Sequence, residues 1–343
     1  MPEPLLEVKD LRIHFFTDEG VVRAVDGVDM TIERGKTLCL VGESGCGKSV
    51  TSRAFLKIIR APGKLVGGQM LYHHRQPNGT TEIIDIAQLD AKGRAIRRIR
   101  GKEISMIFQE PMSSLSVMHT VGNQIIETIR LHETMSKQAA HERAIELLRK
   151  VEIPRPERIV DEYPFRLSGG MRQRVMIAMA LSCNPTLLIA DEPTTALDVT
   201  TQAQILKLLR SLQAEFGMAM LFITHDLGVV AEIADDVAVM YLGQIVESSD
   251  VDTLFNNPKH PYTQALLKSI PRIAAERGQL DPIAGMVPSP FRRPGGCPFH
   301  PRCTQRMHQC SSVVPTVTPL SDGHQVRCLL YEQKPETEAV QHG

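Results

Sequence analysis

The chain has 343 residues, which is enough for one large domain or for two modest domains with separate cores. Its 39 basic and 39 acidic residues cancel, so the basic footprint of a nucleic-acid binder is missing. The first ten residues have no basic segment leading into an apolar one, and the longest uncharged run, Val175 to Ala190, is interrupted by Asn184-Pro185. These features predict a soluble protein made in a reducing compartment, without a secretory signal or a membrane-spanning helix.

The first predicted element is a β-hairpin. Leu5 to Phe16 and Val21 to Glu33 are rich in β-forming residues and are separated by a turn at Asp18-Glu19-Gly20. Phe15 and Phe16 lie near this turn, where an aromatic ring could stack on the face of an adenine base. Their spacing alone favours the simpler interpretation that both rings pack within the hairpin.

The motif G-x-x-x-x-G-K-[ST], which cradles nucleotide phosphates, is matched by Gly42 to Ser49. The apolar run Thr37 to Val41 precedes it and a predicted helix, Val50 to Ile59, follows it, which gives the strand-loop-helix context that the motif needs. The glycines turn successive N–H groups toward a phosphate, Lys48 reaches the β/γ oxygens, and Ser49 is suited to ligating Mg²⁺. An ordinary glycine turn has no need of Lys-Ser after its last glycine.

Cys46 lies inside this phosphate loop, close to Lys48 and to the start of the following helix. Both neighbours favour a thiolate. We therefore predict a reactive thiol whose alkylation blocks nucleotide binding.

A second hairpin and a basic segment come next. Leu65 to Asp85 alternates apolar and polar residues around Asn78-Gly79, which predicts two strands joined by a tight turn. Beyond it, five basic residues lie on or near one helical face: Arg94, Arg97, Arg98, Arg100 and Lys102. Such a run could contact phosphates or lipid headgroups, but the acidic balance of the rest of the chain favours a solvated face.

A helical block then replaces the β-rich pattern. Ile104 to Phe108 is a short apolar strand that ends at Gln109. The residues after it keep helical spacing, first at Val121, Ile125 and Ile129 and then at Ala144, Leu147, Leu148 and Val151. We interpret this block as a helical subdomain, about residues 110–182, inserted into an α/β core.

The segment Leu167 to Arg174 reads Leu-Ser-Gly-Gly-Met-Arg-Gln-Arg and opens a helix that is predicted to run to about Ser182. Ser168 is suited to cap this helix, and two exposed glycines at a helix start form a ready anion site. The alternative is an ordinary cap after a loop.

Two carboxylates end the next apolar strand, Leu187 to Glu192. They could mark a plain boundary between strand and loop. Because a phosphate loop lies upstream, the favoured interpretation is that Asp191 holds Mg²⁺ and Glu192 acts as a base.

A histidine ends the following strand. After Thr194-Thr195-Ala196-Leu197-Asp198 comes a predicted helix to about Phe216, and then the apolar strand Met218 to Ile223, which leads into Thr224-His225-Asp226. A lone histidine at a strand end is usually structural. Ligands nevertheless gather at strand ends in open α/β sheets, so His225 is a candidate for contact with a γ-phosphate.

The end of the chain differs in composition. From about Asp281 prolines interrupt every periodic segment, and four of the seven cysteines follow at the spacing C-x5-C-x6-C-x17-C: Cys297, Cys303, Cys310 and Cys328. Such a segment buries little apolar surface by itself, which suggests a metal centre in place of a core. Disulfides are disfavoured in a reducing compartment, whereas a zinc site made of the same thiolates is not excluded by spacing.

Taken together, these motifs resemble the ATP-binding subunit of an ABC transporter over roughly Leu5 to Ser269. The order of phosphate loop, Gln109, LSGG, ADEP, TALD and His225 carries this resemblance. More narrowly, GESGCGKS, LSGGMRQR, ADEPTTALDVT and His260-Pro261-Tyr262-Thr263 are similar to the dipeptide/oligopeptide importer branch, and to the first of its two paired ATPases.

The resemblance implies a fold and a domain division. The fold is an α/β ABC-type P-loop ATPase core with an antiparallel β subdomain, the inserted helical subdomain and a C-terminal Cys-rich extension. The ATPase domain covers residues 1–280 and the extension covers residues 281–343. The resemblance also implies a [4Fe-4S] cluster on the four cysteines of the extension, ahead of zinc and of free thiols, with a structural or a redox role.

The resemblance also assigns roles to single residues. The ATP-binding set, with the ring of the first residue against adenine, is Phe15, Gly42, Glu43, Ser44, Gly45, Cys46, Gly47, Lys48, Ser49 and Val50. The Mg²⁺ set is Ser49, Gln109 and Asp191, and the catalytic set is Lys48, Gln109, Glu192 and His225, in which Glu192 orients the attacking water. The signature that closes over ATP bound by a partner ATPase is Ser168, Gly169, Gly170 and Met171, with Asp198 at the dimer seam.

The function that the resemblance implies is ATP hydrolysis that powers import of di- or oligopeptides at the cytoplasmic face of the inner membrane. Two ATPase chains, identical or different, pair head to tail, and hydrolysis reopens the pair. The other partners are two membrane permease subunits, which provide peripheral membrane attachment, and an extracytoplasmic solute-binding protein; no nucleic acid is involved.

Three alternatives remain. The same branch also handles nickel, glutathione and oligosaccharides. A soluble ABC ATPase that acts on nucleic acid or ribosomes usually has two cassettes or a long coiled coil, whereas this sequence has one cassette and no heptad run. A catalytically silent partner is disfavoured because Lys48, Asp191, Glu192 and His225 are intact.

Two positions depart from the usual pattern. Met171 replaces the glutamine common at the end of the signature, as is usual in this branch. Where the branch generally reads Ser-Leu-Asn-Pro, this sequence has Ser114-Leu115-Ser116-Val117. This second departure lies near the expected permease contact, so it bears on partner and substrate identity and not on ATP hydrolysis.

Overall fold

The structure is a computed structural model that describes residues 3–76, 78–109, 114–195, 197–269, 283–321 and 323–332. Parts of three predictions lie outside these ranges: the start of the helical subdomain at 110–113, Ala196 of the TALD motif, and the boundary between residues 280 and 281.

The strands of the described residues are β1 (Pro4–Thr17), β2 (Gly20–Glu33), β3 (Thr37–Val41), β4 (Gly63–Arg75), β5 (Thr81–Asp85), β6 (Ile104–Ile107), β7 (Leu187–Asp191), β8 (Ala219–Thr224), β9 (Asp236–Tyr241), β10 (Gln244–Asp250), β11 (Thr318–Ser321) and β12 (His324–Val326). The helices are α1 (Lys48–Phe55), α2 (Arg94–Ile99), α3 (Val121–His132), α4 (Lys137–Lys150), α5 (Pro156–Ile159), α6 (Gly169–Ala180), α7 (Val199–Phe216), α8 (Leu227–Ile233), α9 (Val251–Asn256) and α10 (Pro261–Lys268).

Both predicted hairpins are confirmed, and together they form one antiparallel sheet. Its strand order is β2-β1-β4-β5. The first hairpin closes at the pair Thr17 and Gly20, and the second pairs Arg75 with Thr81. Alternate residues of β1 such as Leu11 and Ile13 are buried, because one face of the sheet packs on a core and the other meets solvent.

The second sheet positions the candidate site. Its order is β11-β12-β10-β9-β3-β8-β7-β6, and the five strands from β9 to β6 pair in parallel. The strands β3, β7 and β8 are continuous apolar runs that are wholly buried, as expected of parallel strands covered on both faces. Because parallel strands end at one edge, the segments that follow β3, β6, β7 and β8 meet there.

The predicted helical block lies between β6 and β7 and consists of α3, α4, α5 and α6. Its apolar stripes, for example Ile125 on α3 and Leu148 on α4, are buried in the same apolar cluster as the parallel sheet. Side chains cap two of these helices: Thr120 accepts from the N–H of Asn123, and Ser136 accepts from the N–H of Ala139. In the ranges that the structure describes, every helix is too short or too polar to cross a membrane.

The first helix is shorter than predicted. Val50 to Ile59 was the expected range, whereas α1 runs from Lys48 to Phe55. It begins directly after Gly47, whose backbone is in the left-handed region (φ 110°). It ends before Lys57, because the positive φ of that residue (51°) is incompatible with a right-handed helix.

The described residues after 282 pack on the main sheet. Strand β12 pairs with β10 through Val326 and Glu247, so the hairpin of β11 and β12 extends the main sheet. Cys297, Phe299 and Leu329 are buried in the same cluster as the parallel strands. The extension therefore buries apolar surface against the rest of the chain, which its proline-rich sequence did not indicate.

The basic helix α2 is exposed, as its sequence predicted. Arg97, Arg98, Lys102 and His132 are among the residues that line a cleft of about 720 Å³. Burial lowers the pKa of His132, and the nearby charge of Lys102 lowers it further. No residue of the candidate site lines this cleft, so its basic side chains have no part in the chemistry considered below.

Candidate functional site

The phosphate loop, Gly42 to Ser49, is wedged between β9 and β2. Gly42 has a φ of 150°, and a Cβ there would lie 2.2 Å from the carbonyl oxygen of Met240. Gly47 has a φ of 110°, and a Cβ there would lie 2.3 Å from the carbonyl oxygen of Ala24. Any side chain at either position would displace the backbone, so both positions require glycine.

Lys48 is buried inside the curve of this loop. Its Nζ donates hydrogen bonds to the carbonyl oxygens of Gly42 (2.7 Å) and Glu43 (3.1 Å). The residue is also the first of α1, so the loop leads directly into the N-terminus of a helix. A cation and a helix N-terminus on one glycine-rich loop are the combination that binds a phosphate chain.

Ser49 and Asp191 form the part of the site that fits Mg²⁺. The Ser49 hydroxyl donates to Asp191 Oδ1 at 2.8 Å, while the buried Oδ2 has no hydrogen-bond partner among the described residues. Burial raises the pKa of Asp191, partly offset by the Ser49 hydrogen bond. The unpartnered Asp191 oxygen and the Ser49 hydroxyl are both hard oxygen ligands, and together they suit Mg²⁺.

Few protein ligands are present around this pair. Across the described ranges, no three His, Cys, Asp or Glu side chains come close enough together to hold a metal ion. Mg²⁺ usually takes one or two protein ligands and fills its octahedron with water and substrate phosphates. The Ser49 and Asp191 pair fits that mode and not a cage made of protein alone.

Glu192 lies just beyond β7 and gathers residues from three strand ends. Its Oε2 accepts hydrogen bonds from Gln109 Nε2 and from the Thr195 hydroxyl, each at 3.0 Å. His225 Nδ1 lies 3.6 Å from Oε1. The backbone of Glu192 has a φ of 48°, an unfavourable value for a residue with a side chain, and such strain is concentrated at functional sites.

The signature and the predicted seam residue lie elsewhere on the surface. Ser168 is exposed and accepts a hydrogen bond from the N–H of Met171, which confirms it as the cap of α6. Asp198 caps α7 by accepting from the hydroxyl and the N–H of Thr201, which lowers its pKa. Where the structure describes the chain, no hydrogen bond or ion pair joins residues 168–171 to the phosphate loop of the same chain.

Phe15 is half-buried on the hairpin. It pairs with Val22 across the two strands and packs toward Ile59 and Gly63. Ala24, two residues beyond Val22, contacts the phosphate loop, so the hairpin and the loop are neighbours. The packing of Phe15 matches the simpler interpretation of its spacing, and its role against adenine stays a prediction.

The prediction of a reactive thiol at Cys46 is wrong. The residue is only 4% exposed, although its Sγ lies 3.8 Å from Lys48 Nζ. Burial raises the pKa of Cys46 and outweighs the opposing effect of Lys48. The thiol is therefore neutral and shielded, and its neighbours along the chain gave no sign of that burial.

Sequence reasoning missed two contacts to the phosphate loop. The N–H of Glu43 donates to the hydroxyl of Tyr262 at 2.9 Å. The carboxylate of Glu43 forms an ion pair with Arg302, which is 259 positions away in the chain. The segment containing Tyr262 had been noted only as a family resemblance, and no local pattern marks Arg302.

The four cysteines of the extension come together. Cys297, Cys303, Cys310 and Cys328 line one small cavity, and all seven cysteines of the chain are free thiols in the structure. Burial raises the pKa of Cys297 and of Cys303, and it raises the pKa of Cys328 to about 12. Buried thiols grouped in this way are held neutral unless a metal ion or a cation stabilises their thiolates.

Two family models match the chain. The model described as ABC transporter matches residues 25–195, and the model described as oligopeptide/dipeptide transporter, C-terminal region, matches residues 246–310. The second match includes Cys297, Cys303 and Cys310 of the cysteine cavity.

Curated proteins and solved structures agree with these matches. The oligopeptide transport ATP-binding protein AppD of Bacillus subtilis is 50% identical, over 96% of this chain and 98% of AppD. The dipeptide transport ATP-binding protein DppD of Escherichia coli is 46% identical, over 94% of this chain and 96% of DppD. The ATP-binding cassette MJ0796, solved as a dimer bound to ADP and Pi, is 27% identical with a TM-score of 0.61, over 72% of this chain and 98% of the cassette. Similarity to the curated relatives thus includes the Cys-rich end of the chain, as the resemblance to the importer branch implied.

Proposed function

The chain belongs to the ATP-binding subunits of ABC transporters, in the oligopeptide/dipeptide branch, and on that basis we propose how its residues power peptide import. It is an ATPase, and its homologues are peptide and dipeptide import ATP-binding proteins. The observation that supports the mechanism best is the convergence of Gln109, Glu192 and His225 beside the Ser49 and Asp191 pair, at one edge of the parallel sheet.

Each residue of this edge has one task in the proposed mechanism. Lys48 and the N–H groups of the phosphate loop hold the phosphate chain. Ser49 and Asp191 would hold Mg²⁺, and the bound ion would neutralise phosphate charge. Glu192 orients the attacking water and accepts its proton, while Gln109 and His225 position the Glu192 carboxylate and the γ-phosphate.

A second ATPase subunit, identical or different, completes the site. The exposed signature residues Ser168 and Gly169 form no hydrogen bond or ion pair with the phosphate loop of their own chain in the described ranges. At the proposed seam beside Asp198, the apolar side chain of Val199 is 84% exposed. A head-to-tail partner would cover this side chain and bring its own signature to the ATP bound by this chain. The similar cassette MJ0796, which was solved as a dimer, is consistent with such pairing.

Two membrane permease subunits are the proposed attachment to the cytoplasmic face of the inner membrane. The start of the helical block presents exposed apolar side chains, among them Met118 (79%) and Leu131 (73%). Leu131, Asn123 and Arg130 are among the residues that line a groove of about 370 Å³. A permease segment docked in this groove is the proposed contact. An extracytoplasmic binding protein would deliver the peptide, and no nucleic acid takes part.

Peptide uptake in cells tests the proposed substrate. A strain without this gene, and auxotrophic for one amino acid, is expected to fail to grow on di- and oligopeptides that contain it and to recover with the wild-type gene. The Glu192→Gln variant should not restore growth, whereas Glu232→Gln, an exposed residue of α8, should. Normal peptide uptake in the deletion strain together with lost uptake of nickel, glutathione or an oligosaccharide would contradict the peptide assignment. Neighbouring genes for two permeases and a binding protein would favour import over a soluble ATPase.

We propose the domain division that the resemblance implies. It consists of an ATPase domain, residues 1–280, with a helical subdomain at about 110–182, and a Cys-rich extension, residues 281–343. Because the extension shares its apolar core with the parallel sheet, we expect it to unfold together with the ATPase domain.

A [4Fe-4S] cluster is the proposed occupant of the cysteine cavity. Four thiols line it: Cys297, Cys303, Cys310 and Cys328. A single zinc ion bonded at about 2.3 Å would need its sulfur ligands about 3.8 Å apart. Among the described residues, no three His, Cys, Asp or Glu side chains lie close enough to hold one ion, so the choice of the cluster over zinc rests on the family resemblance. Such a cluster would cross-link the extension. Cys303 is the least buried of the four cysteines, so we expect solvent and reagents to reach the cavity there.

Metal content tests this assignment. Protein purified without oxygen is expected to contain about four irons and sulfide per chain, as a four-thiolate cluster holds, with a broad visible absorption band. Cys303→Ser should lose the iron and the band, whereas Cys183→Ser, which changes a buried cysteine outside the cavity, should keep both. Stoichiometric zinc without sulfide, or no metal, would contradict the cluster and leave the ATPase function unaffected.

A further inference from the structure

Arg302 of the extension is buried directly beneath the phosphate loop, with a side chain only 3% exposed. Its guanidinium donates two hydrogen bonds to the carboxylate of Glu43, from Nη1 to Oε2 at 2.7 Å and from Nη2 to Oε1 at 3.1 Å. The remaining N–H groups donate to the Tyr241 hydroxyl and to the carbonyl oxygens of Ile283 and Ala284. All five donors are used, so the side chain is fixed in one position.

Glu43 is the second residue of the phosphate loop, at a position where the motif itself prescribes no residue. Its N–H donates to Tyr262, its carbonyl accepts from Lys48, and its carboxylate is held by Arg302. A free carboxylate at this place would repel the phosphates of a nucleotide. Arg302 therefore does two things at once: it cancels this charge, and it fixes the loop that Lys48 also contacts.

The position of Arg302 depends on the cysteine cavity. Arg302 ends the 3₁₀ turn His300–Arg302, which lies between Cys297 and Cys303. The N–H of His300 donates to the carbonyl of Cys297, and the N–H of Cys303 donates to the carbonyl of His300. Cys297 and Cys303, which flank the turn and hydrogen-bond to it, therefore both line the cavity.

A ring cluster makes a second connection between cavity and loop. Phe299, a wall of the cavity, lies 5.3 Å from the ring of Tyr241 and 5.4 Å from the ring of Tyr262. Tyr241 and Tyr262 are the same residues that contact Arg302 and Glu43. Order in the cysteine site and order in the phosphate loop are thus joined by direct contacts.

We propose that Arg302 is a positioning residue through which the cysteine site sets the affinity of the phosphate loop for nucleotide. With the site intact, Arg302 neutralises Glu43 and holds the loop in its binding conformation. When the site is lost, Arg302 is released, and the exposed charge of Glu43 weakens nucleotide binding. The proposal rests on ATP binding at Gly42 to Ser49, and it holds for any occupant that orders the four cysteines.

Binding of a fluorescent ATP analogue with Mg²⁺ to the full chain tests the first step. Arg302→Gln is expected to weaken binding by about tenfold, because it leaves an unpaired carboxylate beside the phosphates. The double variant Arg302→Gln with Glu43→Gln also removes the unpaired carboxylate, so it should bind the analogue more tightly than Arg302→Gln alone. Arg306→Gln, an exposed arginine in the same extension, should have no effect.

Two results would overturn this step: a folded Arg302→Gln variant with wild-type affinity, or a double variant as weak as Arg302→Gln alone. Because the double variant leaves no buried charge unpaired, it keeps the test valid if Arg302→Gln fails to fold. Failure of the wild-type chain to bind the analogue would instead contradict the proposed ATPase site.

The second step is tested with the cysteine site removed. Cys303→Ser should weaken analogue binding by about the same tenfold factor in the wild-type background, and should have no further effect in the Arg302→Gln background. An equal additional loss in the Arg302→Gln background would show that the cysteines do not act through Arg302. By linkage, saturating analogue should slow release of the bound occupant, and with it iodoacetamide labelling of the freed Cys303, in the wild type and not in Arg302→Gln.

Discussion

Glu192→Gln is expected to lower the rate of ATP hydrolysis by about 10²- to 10⁴-fold, the range that a general base contributes. The amide oxygen can still accept the hydrogen bonds from Gln109 and Thr195 that hold the side chain now, so the local structure should persist. An amide cannot accept the proton of the attacking water. Steady-state phosphate release, measured with the partner ATPase present, gives the rate.

Nucleotide binding provides the contrast for this variant. Glu192 does not belong to the phosphate loop, so the Kd for a fluorescent ATP analogue should stay within about twofold of wild type. Glu232→Gln, which makes the same chemical change on the exposed face of α8, should leave both the rate and the Kd unchanged. Turnover by Glu192→Gln within threefold of wild type would mean that another group takes the proton.

The sequence was sufficient for the parts of the fold that follow from periodicity. Segments rich in β-forming residues around a turn predicted the first hairpin, alternation predicted the second, and continuous apolar runs predicted strands such as β7 and β8. The family resemblance implied that Gln109, Glu192 and His225 share one site, and the structure brings them together. The matches to two family models and to curated relatives confirmed the family and its peptide branch. The roles given to single residues stay predictions until the variants are measured.

What the sequence did not predict depends on contacts between distant segments. The burial of Cys46, which reverses the expected direction of its pKa, comes from packing against strands that its motif does not include. The pair of Glu43 and Arg302 joins opposite ends of the chain. The hairpin of β11 and β12 joins the main sheet by a register that its proline-rich sequence does not indicate. Local pattern carries no information about such pairs.

Asp191→Asn is expected to remove the Mg²⁺ dependence of the site. The asparagine can still accept the Ser49 hydrogen bond, but it has no negative charge for the cation. Turnover should fall by about 10³-fold, equivalent to the several kcal/mol that a metal ion contributes to phosphoryl transfer. In wild type, Mg²⁺ should tighten binding of a fluorescent ATP analogue relative to EDTA, and in the variant the two Kd values should coincide. Asp252→Asn, an exposed residue of α9, should behave as wild type.

The pH dependence of Mg²⁺ binding follows from the same carboxylate. Burial raises the pKa of Asp191, so the folded chain takes up a proton there at a higher pH than an exposed aspartate does. The protonated form stabilises the metal-free fold below that pKa, and this contribution is lost as the pH rises through it. Mg²⁺ competes with the proton, so its affinity should fall by up to about tenfold per pH unit below the raised pKa. Asp191→Asn has no such proton to lose, and an unchanged pH slope in that variant would mean that Asp191 does not hold the ion.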